Sequence, residues 1–441
     1  MTSLPPVGSV FYDAEIETMP RARLEELQLE RLLELLPLAY DRAPLIRETW
    51  DAAGVHPRDI RTLDDFRERV PFIDKDAVRR FRNDRGDPFG GLLCVDPAQL
   101  TGVSSTSGTT GDPTLVPEQW GGGGLTSPAI ITRDLWGWGV RPGDFVMLVL
   151  FTFRGPTYGL FQHSLGTTPI LIDFDPHEME RFCELSLEYR PTAVYNFGSV
   201  LINAVKDACD RRGFDPRDVF SSYRGVTFAG EPLSPRARAL AESWGIELFE
   251  HGNVGDVTGS FECVHHDGLH AWEDTVLVEG VDADGAEPGA TEMRCELVAT
   301  SLANHTAPLV RFRSDDIVRL TYEPCACGRT HVRMWPLGRK SDEIVVNGIS
   351  VLPLDVWGAV ETVDACAMGL FQVIREARQV DRLRLRVGYA PEWAPRLDAV
   401  RDELKAAVLT ATGTEPDVEL VPNDALLRLG PPHKIPRVAT P

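Results

Sequence analysis

Between Arg21 and Ala53, leucines recur with helical spacing (Leu24, Leu27, Leu29, Leu32, Leu33, Leu35 and Leu36), separated by Glu and Arg. That period predicts one or two amphipathic helices, broken around Pro37 and Pro44 and closed by Gly54. Further on, apolar runs at 145–150, 168–172 and 225–228 alternate with polar, helix-favouring stretches at 178–189, 199–212 and 234–244. Uninterrupted apolar runs of this length suit strands buried on both faces, so an α/β core with parallel strands is expected. From 275 to 320 the pattern changes to short alternating strands with turn residues such as Asp282, Ala283, Asp284 and Gly285, which predicts a β-rich subdomain. A small α/β unit follows, with strands at 344–346, 382–387 and 418–421 and helices near 355–363 and 395–410. No internal repeat and no long linker interrupts this order.

The 441 residues allow several domains and a large core. Forty-five Lys and Arg against 66 Asp and Glu leave a net charge of −21, which would repel an extended nucleic-acid backbone. The longest apolar run, 145–153, is too short to cross a bilayer and meets Arg154 at once. The first residues carry neither a basic patch nor a long apolar stretch, so no secretory signal is expected and the cytoplasm is the default location. Eight cysteines in a chain of this length do not form a disulfide framework, and Cys325-Ala326-Cys327 is spaced for a metal rather than a bridge.

The most informative window is Ser104-Ser105-Thr106-Ser107-Gly108-Thr109-Thr110-Gly111-Asp112-Pro113-Thr114. Its hydroxyls and glycine amides can turn inward together, which is the chemistry of a phosphate cradle. No Lys-Ser/Thr pair follows the glycine, so it is not a Walker loop.

That loop resembles the nucleotide-binding loop of the adenylate-forming (ANL) superfamily, and the chain as a whole resembles its phenylacetate-CoA ligase branch. The similarity runs in order through Tyr40, the stretch from Gly54 to Ile60, Pro71-Phe72, Lys75-Asp76 and Pro88-Phe89-Gly90. It continues through Tyr158-Gly159-Leu160-Phe161, Gly230-Glu231-Pro232, the stretch from Pro308 to Asp316, Gly338-Arg339-Lys340-Ser341-Asp342, and His433-Lys434-Ile435-Pro436-Arg437-Val438. The resemblance implies a large N-terminal domain, 1–338, and a small mobile C-terminal α/β domain, 339–441. It also implies an ATP-dependent enzyme that makes an acyl-adenylate from an aromatic or heteroaromatic acid, releases diphosphate, and passes the acyl group to coenzyme A.

By the same resemblance, Ser107, Gly108, Thr109, Thr110 and Gly111 hold the departing phosphates, and Thr109 and Lys434 are the catalytic pair. Asp316 accepts the ribose hydroxyls, Arg339 assists that sugar, and Gly230, Glu231 and Pro232 lie against the adenine. Lys434 bridges the carboxylate and the α-phosphate, and Asp342 is the hinge. The chain departs from the family pattern at His251-Gly252-Asn253-Val254-Gly255-Asp256. His251 stands where an aromatic is usual and is expected to wall the nucleotide site with Asn253. No glutamate occupies the usual Mg²⁺ position, and Asp256, one residue on, is the available carboxylate. Expected walls of the acid pocket are Phe151, Phe153, Tyr158, Phe161, His163, Ala229 and Asn253, which favour a flat, mostly apolar acid over a long acyl chain.

Cys263, His265, His266 and His270 fall within eight residues, and with Cys325 and Cys327 they suit tetrahedral Zn²⁺. Cys263, His270, Cys325 and Cys327 are the most economical set, with His265, His266 and His331 as alternates for the fourth ligand. Some phenylacetate-CoA ligase relatives carry a structural zinc of this kind. The other cysteines, Cys94, Cys183, Cys209, Cys295 and Cys366, sit in apolar or helical contexts and are expected to fill the core. Two further readings are open: transfer of the acyl group to a carrier-protein phosphopantetheine thiol or an amine, and a zinc-stabilised nucleotide-binding protein without turnover. A homodimer is also open.

Overall fold

The computed structural model describes residues 5, 6, 8–105, 115–119, 128–150, 165–230, 233–281, 291–429 and 435–441. They form a mixed α/β fold that divides into two compact units. The first takes the described residues of Met1–Asp144, Thr152–Pro169 and His251–Pro336; the second takes those of Phe145–Phe151, Ile170–Glu250 and Leu337–Pro441.

In the first unit the strands lie in the order Val276–Val281, Glu292–Ser301, Phe312–Thr321, Arg333–Arg339, Leu269–Ala271, Thr258–Glu262 and Leu248–Val254. The β-rich texture expected for 275–320 is present, but as three strands, two of them ten residues long, rather than several short ones. The leucine-rich segment folds as helices Arg21–Arg42 and Pro44–Ala53, the second closed by Gly54 in the left-handed conformation. Pro37 does not break the first helix, contrary to the expectation from its sequence. It is exposed, and so is Leu33, whose carbonyl loses its intrahelical partner to the proline ring; water can satisfy that oxygen. On the opposite side Leu32, Leu35, Leu36 and Ala39 are buried in a core with Trp50, Phe66, Val310 and Phe312, which outweighs one missing bond.

In the second unit, strands Phe145–Leu150, Ala193–Phe197, Gly225–Phe228 and the start of Leu248–Val254 run parallel, as expected for an α/β core. Helices Met179–Tyr189, Ser199–Arg212 and Pro235–Ser243 supply apolar faces to one core with Phe182, Phe197, Phe220, Phe228 and Trp244. Residues 344–439 add a sheet in the order Pro416–Pro422, Leu383–Tyr389, Phe371–Ile374 and Val438–Ala439, covered by helices Pro353–Glu361 and Leu397–Thr412. The terminal strand Val438–Ala439 was not legible in a segment flanked by prolines; it forms because Val373 and Ile374 offer it a parallel partner. Cys94, Cys183, Cys209, Cys295 and Cys366 are all buried, as core filler requires.

The first unit buries an unusual amount of charge. Arg133 pairs with Asp274 at 2.7 Å and both are almost fully buried. Arg329 pairs with Glu17 at 2.7 Å, and Glu17 also accepts the backbone N–H groups of Tyr12 and Asp13. Arg21 grips Glu273 through two bonds of 2.6 and 2.7 Å. Burial pushes against ionisation of Asp274, but the charge and hydrogen bonds of Arg133 prevail and hold its carboxyl below the ordinary range. Asp134 lacks such a partner. One oxygen accepts Trp272 Nε1–H at 2.8 Å, the other is orphaned among the described residues, and burial pushes its pKa up to about 7.

The sign of the resulting pH dependence is fixed. Because the folded carboxyl binds its proton up to about pH 7 while the unfolded one releases it near the ordinary value of 3.8, this group costs stability as pH rises through that window. Asp134→Asn keeps an acceptor for Trp272 and removes the titration. Its melting temperature relative to the parent is expected to improve between pH 5 and pH 8, and a difference independent of pH would refute the assignment.

Candidate active site and metal centre

Three features of the first unit converge around a hairpin. Strands Leu248–Val254 and Thr258–Glu262 pair from His251 opposite Phe261 to Val254 opposite Thr258, leaving Gly255-Asp256-Val257 as a three-residue loop. Gly255 and Asp256 both adopt positive φ, 55° and 62°. The second feature is a bulge in strand Phe312–Thr321. Arg313 faces Val298 and Ile317 faces Glu296, so Ser314, Asp315 and Asp316 together oppose the single residue Leu297. The Ser314 hydroxyl donates to Leu297 O at 3.2 Å and accepts from Asp316 N at 3.2 Å, while Asp315 takes a left-handed φ of 72°. A bulge of this kind re-aims side chains that a regular strand would alternate across its faces. The two features touch: a Cβ built on Gly255 would lie 3.0 Å from Ser314 Cβ.

The third feature is Lys75. The short strand Ile73–Asp74 runs parallel to Phe312-Arg313, and helix Lys75–Arg85 starts immediately after it, its N-cap Asp74 accepting from Ala77 N. Lys75 Nζ is thereby delivered to Asp256 Oδ2 at 2.7 Å. A cation and the carboxylates at 256, 315 and 316 thus stand on three adjoining elements.

His251, expected to wall the nucleotide site, is half-buried on the same hairpin. Its Nδ1 lies 3.0 Å from Ser260 O, and since a carbonyl only accepts, Nδ1 carries the proton. The ring stands edge-on to Trp138 with centroids 6.1 Å apart. Asn253 is exposed on the same strand, opposite Gly259.

In the second unit Ala229 is half-buried, and Gly230 follows it with φ of 96° beyond strand Gly225–Phe228, at the carboxyl end of the parallel strands. Arg339 ends strand Arg333–Arg339, and Asp342 closes the 3₁₀ turn Lys340–Asp342; both are half-buried and both have partners. Ser107, Gly108, Thr109, Thr110, Gly111, Phe151, Phe153, Tyr158, Phe161, His163, Glu231, Pro232 and Lys434 lie outside the described residues. Flanking the first five of these, strands Gly102–Ser105 and Leu115–Glu118 pair antiparallel, Ser105 opposite Leu115.

Cys263, His270, Cys325 and Cys327 come together in the first unit, with one donor atom from each and all four atoms within 4.8 Å of one another. Cys263 follows strand Thr258–Glu262, His270 is central in Leu269–Ala271, and the other two sit on the turn before Arg333–Arg339. The Cys263 and Cys325 sulfurs are 3.8 Å apart, and Cys327 Sγ is 3.6 Å from His270 Nε2. The turn is built by Gly328 N donating to Cys325 O and Cys325 N to Arg329 O, with Gly328 at φ 91°. Burial lowers the His270 pKa and keeps the imidazole neutral, the form that ligates. A hydrogen bond from Cys263, with a further one from His270, draws Cys327 towards the thiolate against the effect of burial.

Three sulfurs and one neutral nitrogen in a buried, closed cluster fit a tetrahedral structural zinc, and this is the grouping of metal-ligating side chains found among the described residues. The alternates are accounted for otherwise. His331 is buried and uses both nitrogens, accepting from Glu273 N and bonding Ile16 O at 2.9 Å each. His266 pairs with Glu262 at 3.1 Å, and His265 is exposed.

In the sequence Lys75 is marked only by the Lys75-Asp76 pair of the family resemblance, which carries no role for it. Nothing in the sequence marks the bulge either, apart from the consecutive carboxylates Asp315-Asp316 within an otherwise strand-like run.

No protein-family profile matches the chain. The phenylacetate-coenzyme A ligase of Thermus thermophilus is 32% identical over 397 residues, covering 86% of this chain and 84% of that enzyme. Among solved structures, 2-hydroxyisobutyryl-CoA ligase in its postadenylation state, in complex with R3-HIB-AMP, matches with TM-score 0.83 at 25% identity, covering 100% of this chain and 94% of that one. The same ligase with 2-HIB-AMP and CoA in the thioesterification state matches over the same shares at 25% identity with TM-score 0.69.

The packing of Gly255 on Ser314 can be tested directly. Gly255→Ala places a Cβ against Ser314 at an unfavourable φ and is expected to destabilise the protein by about 1–3 kcal/mol in urea unfolding. Adding Ser314→Gly should recover part of that loss; full additivity of the two changes would refute the contact.

Proposed function

The chain belongs to the phenylacetate-coenzyme A ligase family, and from that premise we infer that it is an AMP-forming acid–thiol ligase, activating a carboxylic acid with ATP and passing it to coenzyme A. We further propose that the acid is aromatic or heteroaromatic. The observation that carries the reading on the chain's own residues is the bulge at Ser314, Asp315 and Asp316, seated on Gly255 beside the Lys75–Asp256 pair.

In the first half-reaction an oxygen of the acid attacks the α-phosphorus of ATP; the bond to the β-phosphate breaks and diphosphate leaves. The chain's task is to place and neutralise charge. Asp316, turned out of the strand's alternation by the bulge, accepts the ribose hydroxyls, and Arg339 assists that sugar. The amides and hydroxyls of Ser107 to Gly111 hold the departing phosphates. Lys434 offsets the charge that builds between the carboxylate and the α-phosphate. In the second half-reaction the thiolate of coenzyme A attacks the acyl carbon and AMP leaves. Ala229, Asn253 and the aromatics Phe151, Tyr158 and Phe161, with His163, wall the acid.

Two metals belong to this reading. Zn²⁺ on Cys263, His270, Cys325 and Cys327 supplies a cross-link between the hairpin and the later turn, with no position open for chemistry. Mg²⁺ would supply charge neutralisation on the phosphates, with Asp256, one residue beyond the family's glutamate position, as the protein carboxylate to hold it.

The purified protein is expected to catalyse ATP–diphosphate exchange that depends on an aromatic acid such as phenylacetate or benzoate, and to form the thioester when coenzyme A is added. Binding of ATP without diphosphate release for any aromatic acid would refute turnover. Thioester formation only on a carrier-protein phosphopantetheine would replace coenzyme A as acceptor. Lys434→Ala should slow exchange by about a hundredfold or more with little change in ATP affinity.

Metal analysis is expected to find one zinc per chain, removable by chelation with a loss of melting temperature. A metal-free protein of unchanged stability would remove the zinc assignment.

A further inference from the structure

Within the second unit, the residues that follow Lys434 are anchored to the helix that follows Gly230, Glu231 and Pro232 by a continuous run of contacts. Ile435 is buried against Leu370 and Leu426, Pro436 O accepts from Gln372 Nε2 at 3.0 Å, and Val373 N donates to Arg437 O at 2.7 Å. The Arg437 guanidinium stacks 3.8 Å from the centroid of Trp357 and donates to Gly369 O at 2.7 Å. Trp357 Nε1 donates to Glu361 Oε1 one turn along helix Pro353–Glu361. Gly369, at φ 61°, permits this close approach: a Cβ there would lie 2.6 Å from Glu361 Oε1 and 2.9 Å from Trp357 Nε1.

Glu361 then meets the other side. Its side chain is buried, which raises the pKa of its carboxyl above the ordinary value, and its backbone carbonyl faces the helix that starts at Ser234. Ser234 is the N-cap of helix Pro235–Ser243, accepting from Ala237 N at 3.1 Å. From the first turn of that helix Arg236 Nη1 reaches back to Glu361 O at 3.3 Å and Asp364 Oδ1 at 3.1 Å. A surface ion pair such as Arg236–Asp364 contributes little alone. Glu361 differs because its carboxyl is buried with Trp357 Nε1 as hydrogen-bond donor while its backbone carbonyl receives Arg236, so losing either partner leaves a desolvated polar group.

We propose that Glu361, with Trp357, Arg437 and Arg236, is a positioning residue for the adenylation half-reaction, clasping the segment that carries Lys434 to the capped helix start behind Gly230. The assignment rests on the proposed roles of Lys434 and the Gly230 turn. The clasp acts on the segment next to Lys434 through the backbone from Ile435 to Arg437.

The test compares Glu361→Gln, which keeps an acceptor for Trp357, and the surface variant Arg236→Ala with the parent in two separate assays. In acid-dependent ATP–diphosphate exchange, both variants are expected to lower kcat by about tenfold with KM for ATP and for the acid little changed. Thioester formation from supplied acyl-adenylate and coenzyme A should stay within about twofold of the parent. Arg236→Lys should restore part of the exchange rate. An equal fall in both half-reactions, or no fall in either, overturns the proposal.

Amide hydrogen exchange on the substrate-free protein supplies a readout independent of turnover. Residues 233–237 and 353–366 should lose protection together in both variants while the strand Ala193–Phe197 keeps it. Unchanged protection in those two segments also overturns the clasp. If instead the parent shows no diphosphate exchange with any acid, the proposed function fails, and the amide measurement still decides the clasp.

Discussion

Desolvated charge governs the first unit. Arg133 with Asp274, Arg329 with Glu17, and Arg21 with Glu273 are ion pairs in which the acid, and in the first two also the arginine, is withdrawn from water. Such pairs add little net stability over apolar replacements, but losing one partner strands the other at a cost of about 3–5 kcal/mol. They therefore act as constraints on position. Glu17 belongs to the N-terminal segment, Arg133 to helix Pro128–Gly137, Glu273 and Asp274 to the turn after the His270 strand, and Arg329 to the turn that carries Cys325 and Cys327. The turns that bring the Cys/His cluster together are thus tied to the N-terminal segment by the same bonds. Thr330 N and Oγ1 add two more, to Glu17 O and Met19 O. Apolar packing alone would permit these elements to slide; buried charge does not.

Two of the residues with a Cβ at positive φ stand on the hairpin and the bulge that face each other. Asp256 and Asp315 carry side chains at positive φ, a conformation that costs on the order of a kilocalorie or more for a residue with a Cβ. Asn196 does so in the second unit, at a bulge where Val194 faces Val226 and Phe197 faces Phe228, its N–H held by Thr227 Oγ1 at 3.0 Å. All three sit at interruptions of regular strands. A regular strand presents alternate residues to opposite faces, so consecutive carboxylates such as Asp315 and Asp316 could not be placed independently without such an interruption.

How much of this the sequence revealed follows from the range of the forces involved. Strands at 145–150, 168–173 and 225–228 and helices at 179–189 and 199–212 were legible because their apolar period is local. The zinc-type ligand set was legible because thiols and imidazoles are rare and were clustered in sequence, although His331 could be dismissed only after its hydrogen bonds were known. Pro37 misled because the exposure of its turn is a tertiary property. Lys75 and the bulge were illegible for the same reason. Lys75 reaches Asp256 through the pairing of Ile73 with Phe312, a contact across most of the first unit's sequence that no local pattern encodes.

The same geometry accounts for the departure at the Mg²⁺ motif. Gly255 occupies the position where the resemblance calls for a glutamate, and a Cβ there would press on Ser314 at 3.0 Å with φ already at 55°. A side chain at 255 would crowd Ser314, which must shift by a few tenths of an ångström to admit it, at a φ that already disfavours a Cβ. A glutamate at 255 would therefore press on Ser314, the residue that opens the bulge before Asp315 and Asp316. Asp256, the next residue, is held at 2.7 Å by Lys75, so the nearest carboxylate is already neutralised by a cation from the strand-to-helix junction. A metal ion arriving with phosphates would compete with that ammonium for one oxygen. Under the proposed reading, Mg²⁺ held by Asp256 would have to compete with Lys75, so its affinity would be coupled to that lysine by charge and distance.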